Sequence, residues 1–160
     1  MVLALSQPSP TSLLSGLPLA LLGEALRVWA SGHIEKTRSL ATGGPYAHTR
    51  NPLYVGSVLI GLGVGVASAS AWAVAALAAY LLLSYPPVMR EEADYLRAKF
   101  CAEYVTWSSV VPLFLPRVTP AGPRASRFEW ERVGRNREWR TAMALPAVVG
   151  LLYVRRLLGP

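Results

Sequence analysis

The chain has 160 residues, 52% of them hydrophobic and only 16% charged, with a formal net charge of +7. That length suits one domain, and a charged fraction well under the usual quarter of a soluble domain points to a membrane protein. The basic residues sit in the connections between apolar runs, as expected of loops facing anionic headgroups. A nucleic-acid face would need them gathered on one side of a soluble fold, so no nucleic-acid partner is expected.

In chain order, Leu13–Trp29 reads as a first membrane span. Glu24 and Arg27 lie three apart on one helical face, where they can pair, and Arg27 can extend its charge toward headgroups. Ala30–Asn51 is polar, and Pro45 and Pro52 each disfavour helix at the residue before them, so a shaped loop is predicted. Leu53–Ser70 is an uncharged span in which Ser57, Gly61, Gly65 and Ala69 recur every fourth residue, a ladder that lets helix backbones approach closely in lipid. Ala71–Tyr85 forms the next span, antiparallel to it and ending at Pro86-Pro87. Val88–Thr106, where Leu96, Phe100 and Tyr104 recur at spacings of four among charges, reads as an amphipathic helix leaving the membrane. Arg117–Arg140 is polar, with seven basic and three acidic residues, and Thr141–Leu158 is a final apolar helix.

The expected fold is therefore all-α: a polytopic membrane bundle of about four short helices, with a re-entrant or shaped loop before the central hairpin and an amphipathic helix after it. One domain covers residues 1–160, with a core at 23–116 and a C-terminal helix at 141–158. The positive-inside rule places both polar segments in the cytoplasm, at the inner membrane if the cell is prokaryotic. Cys101, the single cysteine, excludes an internal disulfide and reads as a packed small hydrophobe.

Two polar segments carry the chemistry. Gly43–Tyr54 places Pro45, Pro52, Tyr46, Tyr54, His48 and Arg50 at the entrance of a membrane helix. A helix N-terminus favours an anionic group, and Arg50 adds a bidentate partner for a carboxylate or phosphate. The same residues also suit plain anchoring at the headgroup level. In Arg90–Tyr104, the neighbours Glu91 and Glu92 point about 100° apart on a helix, so one can face inward while the other stays solvated.

Together, Gly44–Gly56 (GPYxxxRNPLYxG) and Glu91–Tyr104 (EE, then FxxEY), separated by a helical hairpin, resemble the isoprenylcysteine carboxyl methyltransferase and phospholipid methyltransferase superfamily. The resemblance implies an integral membrane methyltransferase that uses S-adenosyl-L-methionine and a lipophilic acceptor entering from the bilayer. It implies cofactor contacts from Arg38, Ser39, Leu40, Ala41, Tyr46, Asn51, Pro52, Leu53, Tyr54 and Glu92. Arg50 or Arg90 would orient the acceptor, and His48 or Glu91 would take a proton from an amine acceptor; no metal is implied. The sequence departs from the pattern at Asn51, where the eukaryotic form has histidine, at Val88, where it has arginine, and at Phe100-Cys101-Ala102-Glu103-Tyr104, where it reads Phe-Gly-Glu-Glu-Tyr. A membrane reductase using a nicotinamide dinucleotide and a non-enzymatic scaffold are the competing readings.

Overall fold

The first helix is set by its start. Ser9 accepts a hydrogen bond from the Ser12 N–H at 3.0 Å, and the Ser12 hydroxyl accepts from the Ser9 N–H at 2.9 Å. This reciprocal cap, with Pro10 in the first turn, opens α1 (Pro10–Ser31). The computed structural model describes residues 6–35, 39–122 and 126–158, so Arg38, expected to contact the cofactor, lies outside the described residues. Among these residues the structure is all-helical, with no strand. A short 3-10 turn at Gly44–Ala47 precedes α2 (Pro52–Ser68), followed by α3 (Ala71–Val110), α4 (Trp130–Arg135) and α5 (Trp139–Leu157).

α1 and α3 are long and apolar enough to cross a membrane, and α2 is a shorter apolar helix. Leu14, Trp72, Leu82 and Leu83 are all exposed, a surface of the kind that lipid covers and water does not.

The tightest packing joins α1 to α2. A Cβ on Gly16 would overlap the carbonyl oxygen of Gly63, and one on Gly23 would lie 2.5 Å from that of Gly56. The pairs 16–63 and 23–56 make the two helices antiparallel, in backbone contact. The predicted ladder works elsewhere: Gly61 and Gly65 face α3, where added Cβ atoms would meet Leu77 at 2.7 Å and Val74 at 2.9 Å. The Tyr54 and Tyr85 rings meet at 4.8 Å, so these contacts run antiparallel as well. The hairpin turns at Ala69, which adopts a left-handed φ of 48°, and Ser70, whose hydroxyl caps the start of α3.

Two expectations are corrected here. The helix does not stop at Pro86-Pro87, because α3 continues through both as far as a kink at Cys101. The two prolines remove two backbone donors, but the alanine- and leucine-rich stretch before them and the Glu, Ala, Leu and Arg residues after them are strong helix formers. The non-helical position falls instead at Cys101, with φ 44° and ψ −117°. Its thiol is exposed rather than packed.

The main buried cluster lies at the polar end of the bundle. Ala30, Leu40, Tyr46, Tyr104, Trp107 and Val111 form it, so the loop after α1 is closed by the far end of α3.

Candidate cofactor site

The loop is held in shape by its own polar groups. The backbone N–H of Arg50 donates to the Pro112 carbonyl at 2.9 Å, and the Arg117 N–H donates to His48 at 3.0 Å. Asn51 Nδ2 donates to the Leu113 carbonyl at 2.9 Å, and the Thr49 hydroxyl to that of Phe114 at 2.8 Å. The motif thus fastens the returning segment 111–117 alongside itself. Trp107 Nε1 donates to the Tyr46 carbonyl at 3.1 Å and locks the 3-10 turn onto α3. Gly44 takes a φ of 56°, and the His33 ring occupies the space that a side chain there would fill.

These elements enclose a cavity of about 600 Å³. It lies between the end of α1, the loop, the start of α2 and the middle of α3. Ser39, Leu40, Ala41, Tyr46, Asn51, Pro52, Leu53, Tyr54 and Glu92 all line it, as does Arg50. The two sequence segments therefore share one chamber. Arg90 and Glu91 do not line it: all three of Arg90, Glu91 and Glu92 are exposed, but Arg90 and Glu91 sit about 200° and 100° around α3 from Glu92. Nor does His48, whose Nδ1 lies 2.8 Å from the Arg117 carbonyl, a contact in which Nδ1 carries the proton and donates. In the structure its Nδ1 holds the returning segment.

Several lining residues were missed by the motifs. Arg27 is the main one. Rather than pairing with Glu24 or reaching for headgroups, it bonds Glu138 at 2.6 Å, the Ser57 hydroxyl at 2.6 Å and the Leu53 carbonyl at 3.3 Å. Both side chains of the ion pair are largely enclosed, 17% and 5% exposed. Glu35 also lines the cavity and pairs with Arg132 at 3.5 Å. Tyr85, Tyr95 and Lys99 complete the wall from α3, beside Phe100 of the second motif. Tyr95 and Lys99 lie four apart, as do Leu96 and Phe100, and that spacing is the signal that could have found them. Nothing local marks Arg27, because its partner lies 111 positions away.

Tyr54 donates to Glu92 Oε2 at 3.4 Å, which gives the lining carboxylate an aromatic neighbour. Burial first, and the Glu92 carboxylate second, push the Tyr46 phenol well above the ordinary tyrosine range, so it stays protonated and can only donate or accept a neutral hydrogen bond. Arg50 Nη1 lies 3.3 Å from the Tyr104 hydroxyl, while its Nε is buried with no hydrogen-bond partner among the described residues. A buried guanidinium donor left unpaired is costly, and a carboxylate or phosphate oxygen from a bound molecule would satisfy it. No group of three or more His, Cys, Asp or Glu side chains able to hold a metal ion occurs among the described residues.

An all-helical chain with apolar helices and a largely apolar chamber between α1, the loop, α2 and α3 fits a membrane-associated helical protein. Within that class the chain belongs to the phospholipid methyltransferase family, whose model matches residues 11–103. It is 37% identical over 111 residues to the cobalt-zinc-cadmium resistance protein CzcN of Cupriavidus metallidurans, covering 64% of this chain and 50% of that protein. It is 34% identical over 108 residues to the nickel-cobalt-cadmium resistance protein NccN of Alcaligenes xylosoxydans xylosoxydans, covering 65% and 48%. The chain thus spans about half the length of these curated relatives. No solved structure matches it.

Proposed function

We propose that the chamber binds S-adenosyl-L-methionine and that the protein transfers its methyl group to a lipophilic carboxylate, amine or thiol arriving from the bilayer. The observation that carries this reading is the unpaired Arg50 Nε, buried in the same cavity as Glu92. A zwitterionic ligand with a carboxylate at one end and hydroxyl or amine donors at the other matches that pair of groups. The cavity volume falls within the usual range for such a ligand, about 300–1,000 Å³.

The cofactor supplies a sulfonium-activated methyl group. Everything else is positioning. Arg50 holds a carboxylate, Glu92 and Tyr54 hold donors, and the rings of Tyr54, Tyr85, Tyr95 and Phe100 offer π faces that tolerate a cation while excluding water. A carboxylate acceptor needs no base, so holding it in line supplies most of the acceleration. For an amine acceptor, Glu35 is the lining carboxylate placed to take the proton, in place of His48 and Glu91. In this reading four short helices cross the membrane, with the chamber on the cytoplasmic side.

Titration calorimetry on the purified protein in detergent tests the proposal. S-adenosylhomocysteine is expected to bind, and Glu92→Gln to weaken it at least about tenfold, the loss of about 1.4 kcal/mol. Absence of heat with the intact chain, or thermal protection by a nicotinamide dinucleotide instead, overturns it.

A further inference from the structure

A second cavity, of about 650 Å³, runs between α1, α2 and α5. Its α1 wall extends from Leu13 to Glu24, a helical length of about 16 Å at 1.5 Å per residue. Leu17, Val64, Leu145 and Val149 make it apolar, and the exposed Leu14, Leu21 and Tyr153 at its edges place its rim on the outer surface of the bundle. One formal charge faces it. Both carboxylate oxygens of Glu24 are buried, and neither has a hydrogen-bond partner among the described residues. The nearby cation, Arg27, spends its donors on Glu138, Leu53, Ser57 and Thr141.

An apolar groove three turns long, with a carboxyl at one end that makes no hydrogen bond among the described residues, is complementary to a chain with a cationic head. We propose that this groove is a second binding site, separate from the methyl-transfer chamber, for a single-chain alkylammonium amphiphile drawn from the bilayer, with Glu24 as its counter-charge. The lining selects against other lipids. A phosphate-bearing headgroup would meet the Glu24 carboxylate with only the Tyr153 hydroxyl as a possible donor among the lining side chains, and a neutral alcohol would satisfy only part of the buried acid. A metal ion would find a single carboxylate where several ligands are needed.

Photolabelling in phosphatidylcholine nanodiscs, without cofactor, tests the site. The probes are a dodecylamine bearing an aliphatic diazirine and its alcohol and phosphate-monoester analogues. The amine is expected to label Leu13–Glu24 and Ala142–Tyr153 saturably, with unlabelled dodecylamine as competitor. Its labelling should exceed that of either analogue by about tenfold, the fold-change that one charge-assisted hydrogen bond carries. Glu24→Gln should erase that preference. Gly150→Phe, at a position where an added Cβ meets nothing within 4 Å, should fill the groove and block all three probes. Equal labelling by amine and alcohol, amine labelling indifferent to both variants, or label confined to the outer face of Trp72–Leu83 as bulk lipid overturns the proposal. Should Glu24→Gln fail to fold, Gly150→Phe and the analogue ratio decide alone. Because no cofactor is present, failure here leaves the methyl-transfer reading intact, and the converse holds.

Discussion

Cys101 holds φ 44° and ψ −117°, the geometry of the first central residue of a type II′ turn, which glycine adopts freely and a residue with a Cβ does not. The pattern this chain resembles has glycine at that position, so here a physical reason stands behind a motif letter. Cys101→Gly should release strain and raise the unfolding free energy by about 1–2 kcal/mol, read as an upward shift of the melting temperature in detergent. A fall would mean that the bend in α3 is made by something other than this residue. Arg50 invites a different substitution. Lysine keeps the charge but has no Nε–H and no planar fork, so Arg50→Lys should weaken S-adenosylhomocysteine binding by about tenfold while leaving thermal stability close to that of the parent. Calorimetry and a melt on the same preparation separate the two effects.

At the scale of elements, the contact between α1 and α2 is set by what is missing from Gly16, Gly23, Gly56 and Gly63. A Cβ on Gly63 would lie 2.5 Å from the Ala20 nitrogen, which is backbone and cannot swing aside. Gly63→Ala should therefore cost about 1–3 kcal/mol through forced separation of the helices. Gly150→Ala, in the interior of α5 with open space around it, should be neutral or gain up to about 1 kcal/mol from helix propensity. Thermal denaturation of both variants compares one substitution in two settings. The sequence showed that small residues recur on α2 but not which helix each one faces. A period of four read from one helix contains no information about its neighbour, and the α1 partners, Gly16 and Gly23, are seven apart. Likewise Pro86-Pro87 looked like an end because proline disfavours helix locally, while the strong helix formers on both sides decide whether the helix resumes.

For the whole molecule, the site was legible wherever its residues cluster in sequence and illegible where the fold joins distant segments. Tyr46, Arg50, Asn51, Pro52, Leu53, Tyr54 and Glu92 fall in motifs, and they line one chamber. Of the lining residues only Trp107 lies beyond the stretch matched by the family model. The His48 bond to the Arg117 carbonyl was illegible because it spans 69 positions, and Arg27 was misread because Glu138 is further away still. The segment after the matched region, far from being an appendage, braces the chamber from outside. Asn136 Nδ2 donates to the Ser31 carbonyl at 2.8 Å at the end of α1, Ser126 accepts from the Gly43 N–H at 2.9 Å, and Arg132 pairs with Glu35. Arg27–Glu138 is the strongest of these ties, since both groups are withdrawn from solvent. Removing one partner of such a pair strands the other, so Glu138→Ala should destabilise the protein by about 3–5 kcal/mol. Replacing both, as Arg27→Met with Glu138→Leu, should recover most of that loss, because neither partner of the pair is left stranded. If the tie also positions the chamber wall, the double variant will melt near the parent temperature yet bind S-adenosylhomocysteine more weakly, since Arg27 no longer holds Ser57 and the Leu53 carbonyl in place. A double variant restored in both stability and binding would make the pair a structural strap alone.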